Sequence, residues 1–130
     1  MFYYTHLAVT LFFALLLYPK FGIVFLGVAL FSALLPDIDT RNSKIGKKWF
    51  FRPLQFFLVH RGILHSFLFL IVVSVVLFLF SKVISYGFIL GYGLHLFTDR
   101  LGIKTGGMFE TLVFVAFLIG NIILLLRLIL

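Results

Sequence analysis

Eight side chains that can bind a divalent cation or move a proton are set into an otherwise apolar chain: His6, Asp37, Asp39, His60, His65, His95, Asp99 and Glu110. They are all of its histidines and all of its acids, and each falls where a hydrophobic run meets its flank. His95 and Asp99 are four positions apart, so on a helix they project from one face. That spacing suits two ligands of one metal, or a ligand and the carboxylate that orients it. In Pro36-Asp37-Ile38-Asp39 the alternate acids face one centre if the backbone is extended. His60 and His65 flank the start of an apolar run, and Arg61 between them has the planar fork that clamps phosphate or carboxylate. Cysteine is absent, so thiolate sites and disulfides are excluded and imidazole and carboxylate must hold any metal.

The elements that position these groups are hydrophobic segments. Of 130 residues, 63% are hydrophobic and 12% charged, against about half and a quarter in soluble domains. The excess comes in runs, Leu7 to Tyr18, Phe21 to Leu35, Phe67 to Phe80, Val83 to Phe97 and Leu112 to Leu126, more than a chain this short can hide from water. Lipid leaves open backbone groups unsatisfied, and barrel alternation is missing, so helices are the only plausible spans. We expect an all-α polytopic transmembrane bundle of about five spans, a single integral membrane domain over residues 1–130. The spans are Tyr3 to Tyr18, Phe21 to Leu35, Ile63 to Phe80, Val83 to Asp99 and Phe109 to Leu128. Pro19 and Lys20 are expected to form a tight turn, and the first two helices, both short for a span, a helical hairpin. Pro36 should end the second. Gly87, Gly91 and Gly93 permit close helix approach, within the chain or in a homo-oligomer. Asn121 is placed to hydrogen-bond a neighbouring helix. The first charge, Lys20, follows the first apolar run and no cleavage motif follows, so that segment is expected to stay in the mature protein.

The net charge of +7 is first a topology signal. Six of the eleven basic residues lie between Arg41 and Arg61, within a basic and aromatic loop spanning 36–62. Arg100 and Lys104 follow the fourth span. Eight against three, the cations place the N terminus and both loops on the cytoplasmic side of the inner or plasma membrane. This topology rests on lysine and arginine alone, yet it gathers all eight candidate residues into a polar site on that same side. The loop's aromatics resemble headgroup anchors, so the expected partners are membrane lipid and anionic headgroups rather than nucleic acid.

The order of motifs is specific in combination. His6, then Leu35-Pro36-Asp37-Ile38-Asp39, then His60-Arg61-Gly62-Ile63-Leu64-His65-Ser66, then Gly91 to Asp99, resembles the membrane-bound metal-dependent hydrolase family. That family includes the inner-membrane hydrolases described as LexA-regulated or LexA-binding. The resemblance covers about Met1 to Gly107. The family pattern maps onto His6, Asp37, Asp39, His60, Arg61, His65, Ser66, His95 and Asp99. The chain departs from it at Leu64, where threonine is common. It also departs at Gly107-Met108-Phe109, where a proline-bearing stretch is usual. Both departures bear on loop shape and substrate rather than on ligands.

The resemblance and the residues together imply metal-dependent hydrolysis at the cytoplasmic face, on a lipid or lipid-linked phosphoester. Asp39, His65, His95 and Asp99 are the first choice of metal ligands. His6, with His60 and Asp37, would complete a second site or support the first. The ligand chemistry suits zinc, manganese or iron, as one or two ions. His60 or Asp37 would be the general base, Arg61 would neutralise developing charge, and Arg61 and Ser66 would bind substrate. Two other classes compete. A non-catalytic scaffold would use a metal or polar network to pin the helices. A transporter would carry its ionisable groups near the membrane midplane, whereas here they cluster toward one face.

Overall fold

The computed structural model describes residues 3–38, 66–100 and 107–130. Among these described residues all regular structure is helical. The helices are α1 (Tyr3–Ser32), α2 (Leu35–Ile38), α3 (Phe67–Phe80), α4 (Lys82–Arg100) and α5 (Met108–Ile129).

Helix α1 is two arms. Gly22 breaks it, with φ 76° and ψ −169°, a conformation that side chains bearing a Cβ rarely adopt. Pro19 stays helical, so the expected turn at Pro19–Lys20 is displaced to the residue that can reverse the chain. The arms fold back on each other. His6 stacks on His95, and the Ala33 carbonyl meets the same imidazole. A straight helix would hold those two positions about 40 Å apart. Ala14 of the first arm packs with Phe25 and Ala29 of the second. The expected hairpin is therefore present.

The expected five spans are not. Among the described residues, two stretches are long and apolar enough to cross a membrane by length and composition, Tyr4–Asp37, which folds back at Gly22, and Met108–Ile129. Arm 23–32 rises only about 15 Å and the 14-residue α3 about 21 Å, short of a hydrocarbon core of about 30 Å. Pro36 does not simply end a helix either. It lies in the first turn of α2, where its missing N–H has no intrahelical partner to lose.

Helix α4 is the axis of the bundle. Gly87 and Gly91, four apart, form a groove for the second arm. A Cβ on Gly91 would collide with the Ala29 carbonyl, and one on Gly87 would come within 2.8 Å of the Phe25 carbonyl. Ser32 closes the contact, its hydroxyl donating to Ala29 O and reaching Gly87 O. These glycines, expected material for a dimer contact, are thus covered within the chain. Gly93 differs: a Cβ there would sit 3.9 Å from Leu70, an ordinary contact. On its other side α4 meets α3 through Phe88, Tyr92 and Leu96 against Phe69, Leu70, Val73 and Leu77. The two helices form a hairpin across Ser81, tied by the Ser85 hydroxyl donating to Ser74 O.

Helix α5 runs beside the first arm. Phe12 meets Phe117, Tyr4 meets Phe114, and the Asn121 amide donates to Ala8 O at 3.0 Å, as expected of it. Its remaining surface is a sheath of exposed leucine, isoleucine and valine. So much contiguous apolar exposure is what a lipid-facing helix presents.

Candidate metal centre

The hairpin of α1 and the direction of α4 bring distant parts of the chain to one end of the bundle. His6 comes from the start of α1, Asp37 from α2, and His95 and Asp99 from the last turns of α4. Both imidazoles are buried, at 2% and 1% exposure, while the Asp99 carboxylate is one-third open.

His95 Nδ1 lies 2.7 Å from the Ala33 carbonyl oxygen. A carbonyl only accepts, so Nδ1 carries the proton and Nε2 holds the lone pair. The carbonyl is available because α1 ends at Ser32 and leaves its last acceptors without helical partners. His6 Nδ1 lies 2.9 Å from Thr98 Oγ1. That hydroxyl already donates into α4, to Leu94 O and His95 O at 2.8 and 2.9 Å. With its one hydrogen committed there, Thr98 Oγ1 accepts from His6 Nδ1, which would make His6 the same tautomer.

Both Nε2 atoms then face one carboxylate. His6 Nε2 is 3.3 Å from Asp99 Oδ1, and His95 Nε2 is 3.2 Å from Asp99 Oδ2. Two lone pairs aimed at an anion repel it unless positive charge lies among them. The rings are stacked 4.1 Å apart and buried. A proton on one ring would serve only that ring's lone pair, whereas one divalent cation would serve both Nε2 atoms at once. The spacing agrees: bonds of about 2.0–2.1 Å in a tetrahedral zinc site put ligand atoms about 3.3 Å apart. The three ligand atoms lie within 4.8 Å of one another. An imidazole that donates its other N–H to a carbonyl or hydroxyl is the usual condition of a metal-ligating histidine. These residues fit a metal.

Asp37 Oδ1 stands 3.9 Å from His95 Nε2. Beside the cluster, Thr5 donates to the buried Glu110 carboxylate at 3.4 Å, so α5 brings a further acid to this end. Ser66 is the N-cap of α3, its hydroxyl accepting the Phe69 N–H at 3.1 Å. Asp39, His60, Arg61 and His65 lie outside the described residues.

The structure thus brings together His6, Asp37, His95 and Asp99. His6 stands inside the tight cluster, where the sequence put it only in a second or supporting set. Two orienting groups were not anticipated. Thr98 had a faint signal, since it adjoins Asp99 and follows His95 by one turn. The Ala33 carbonyl had none, because a backbone acceptor becomes significant only once the helix end is placed.

A family model described as YdjM inner membrane protein matches residues 1–109. No curated protein and no solved structure matches the chain. The chain belongs to the YdjM inner membrane protein family, and it is a multi-pass helical protein in contact with lipid.

Proposed function

We propose that this YdjM family member is a metal-dependent hydrolase acting at the cytoplasmic face of the inner membrane, on a lipid or lipid-linked phosphoester. One observation carries the reading: two buried imidazoles, each with Nδ1 against an oxygen, turn Nε2 toward a single carboxylate. His6, His95 and Asp99 would hold the ion. Among the described residues these three would be the protein ligands, and three protein ligands with a water are the usual set of catalytic zinc. Zinc, manganese and iron all suit such ligands.

A bound divalent ion lowers the pKa of coordinated water and polarises a phosphoryl oxygen. The chain's own groups do the rest. Asp37, next to His95, takes the proton of the attacking water. Asp39 and His65, first-choice ligands by their motifs, would complete the coordination of this ion or hold a second, and His60 would support them. Arg61 balances charge on the phosphoryl oxygens, and Arg61 and Ser66 position the substrate. As the P–O ester bond breaks, the proton held by Asp37 passes to the leaving oxygen, which departs as the alcohol. The six basic residues of segment 36–62, with Arg100 and Lys104 at and after the end of α4, give the eight-to-three charge bias that supports a cytoplasmic site and attraction to anionic headgroups.

The test is phosphate release from phosphoester lipids in reconstituted vesicles, with wild type, Asp37→Asn and His95→Ala, each supplied with zinc or manganese. Turnover in wild type, reduced at least about 100-fold in both folded variants, supports general-base and ligand roles. Equal turnover in all three sinks the mechanism.

A scaffold role is favoured by one observation. The cluster joins both arms of α1 to α4, so an ion there would also pin the bundle. Under that reading His95→Ala unfolds the protein. Under ours it folds and is inactive.

A further inference from the structure

We propose a binding site for one anionic glycerophospholipid at the end of the bundle opposite the metal cluster. A groove of about 520 Å³ opens there between the elbow of α1 and the start of α4, lined by Leu17, Lys20, Phe21, Tyr86, Ile89 and Leu90. Its volume lies within the roughly 300–1,000 Å³ of ligand sites. Along the first arm Lys20 is about 21 Å from His6, so the groove faces the other leaflet.

The walls decide the occupant. They are largely apolar and the groove is open at the side, where this chain meets lipid. Water there would lack the two to four polar partners it needs, whereas an acyl chain gains contact on all sides. The rim decides the headgroup. Lys20 is exposed, its ammonium 5.4 Å from the Phe21 ring centroid, a position in which the stem lies along apolar surface and the charge at the interface. Tyr86, beside Phe21 and Phe78, adds a phenol at the same level. Asp37, Asp99 and Glu110 are all at the metal end. Among the described residues, then, no acidic side chain lies at this end beside Lys20. A phosphodiester of net negative charge complements it, with one acyl chain in the groove.

Lys82 provides a matched control. It lies at the same end, its ammonium 5.8 Å from the Phe78 ring, but does not line the groove. The experiment is native mass spectrometry of protein released from nanodiscs of equal phosphatidylglycerol and phosphatidylethanolamine. Wild type should retain one phosphatidylglycerol, preferred about five-fold over phosphatidylethanolamine. Lys20→Ala should lose the preference and Lys82→Ala keep it. Ile89→Trp, at an exposed wall position, should lose the bound lipid, and Ile89→Phe serves if the larger ring lowers the melting temperature. Equal retention of both lipids by wild type, equal effects of the two lysine variants, or unchanged retention in a folded wall-filled variant would each overturn the proposal.

Discussion

The imidazoles of His6 and His95 lie face to face, ring centroids 4.1 Å apart and planes 22° from parallel, though 89 positions separate them in the chain. Each ring spends its Nδ1 proton on a fixed oxygen and turns Nε2 toward Asp99. The account of the site follows from that pairing, and several measurements bear on it.

Thr98 acts on the metal through His6. Among the described residues Thr98 is the hydroxyl that meets His6 Nδ1, and Thr98→Val removes it, so the ring loses that support. Loss of such a support lowers metal affinity by about 10–100-fold. Chelator competition should show that drop in folded Thr98→Val and recovery in Thr98→Ser. Unaltered affinity in Thr98→Val would mean the hydroxyl does not orient the ligand.

The two classes of glycine in α4 separate cleanly. Gly91→Ala drives a Cβ into backbone of the second arm, and overpacking against backbone costs about 1–3 kcal/mol or more. Gly93→Ala meets only the end of Leu70 at 3.9 Å and should be close to neutral. Thermal unfolding in detergent should lower the first variant's midpoint and leave the second's within error. Equal midpoints would contradict the packing described.

Gly22 isolates backbone strain from packing. Nothing lies within 4 Å of a Cβ placed there, so Gly22→Ala meets no neighbour and changes only the cost of the reversal, about 1–3 kcal/mol. The same unfolding assay should register that loss. A fully stable alanine variant would argue against the hairpin elbow at this residue.

Asn121 ties α5 to α1 from inside the apolar zone. Asn121→Leu deletes the bond to Ala8 O, and such interhelical bonds are worth about 0.6–2 kcal/mol in membranes. The variant should be less stable by that amount with its metal content intact. If metal is lost as well, α5 has a larger part in the site than its contacts indicate.

The sequence was informative where chemistry is rare. Histidine and carboxylate stand out against leucine and phenylalanine, so His95 and Asp99 were paired from spacing, and Asp37 and His6 were placed at the same end. Gly87 and Gly91 were legible because small residues one turn apart announce close approach. Element lengths were not. A run of apolar residues looks the same whether it crosses a bilayer or turns back, and only φ at Gly22 shows where α1 reverses. Proline attracted the prediction at Pro19, yet a helix keeps a proline more readily than an L side chain takes φ near +76°. The place of His6 beside His95 was not legible for a related reason: a lone histidine near Tyr3 and Tyr4 says nothing of its neighbours until the hairpin brings it beside α4.

The most direct test of the central claim is metal content by elemental mass spectrometry on detergent-purified wild type beside His6→Ala, His95→Ala and Asp99→Ala, each checked for folding. The account predicts near-stoichiometric zinc, manganese or iron in wild type, lost in all three variants. Wild type that binds none of these ions even after reconstitution, or variants that keep them, would contradict it.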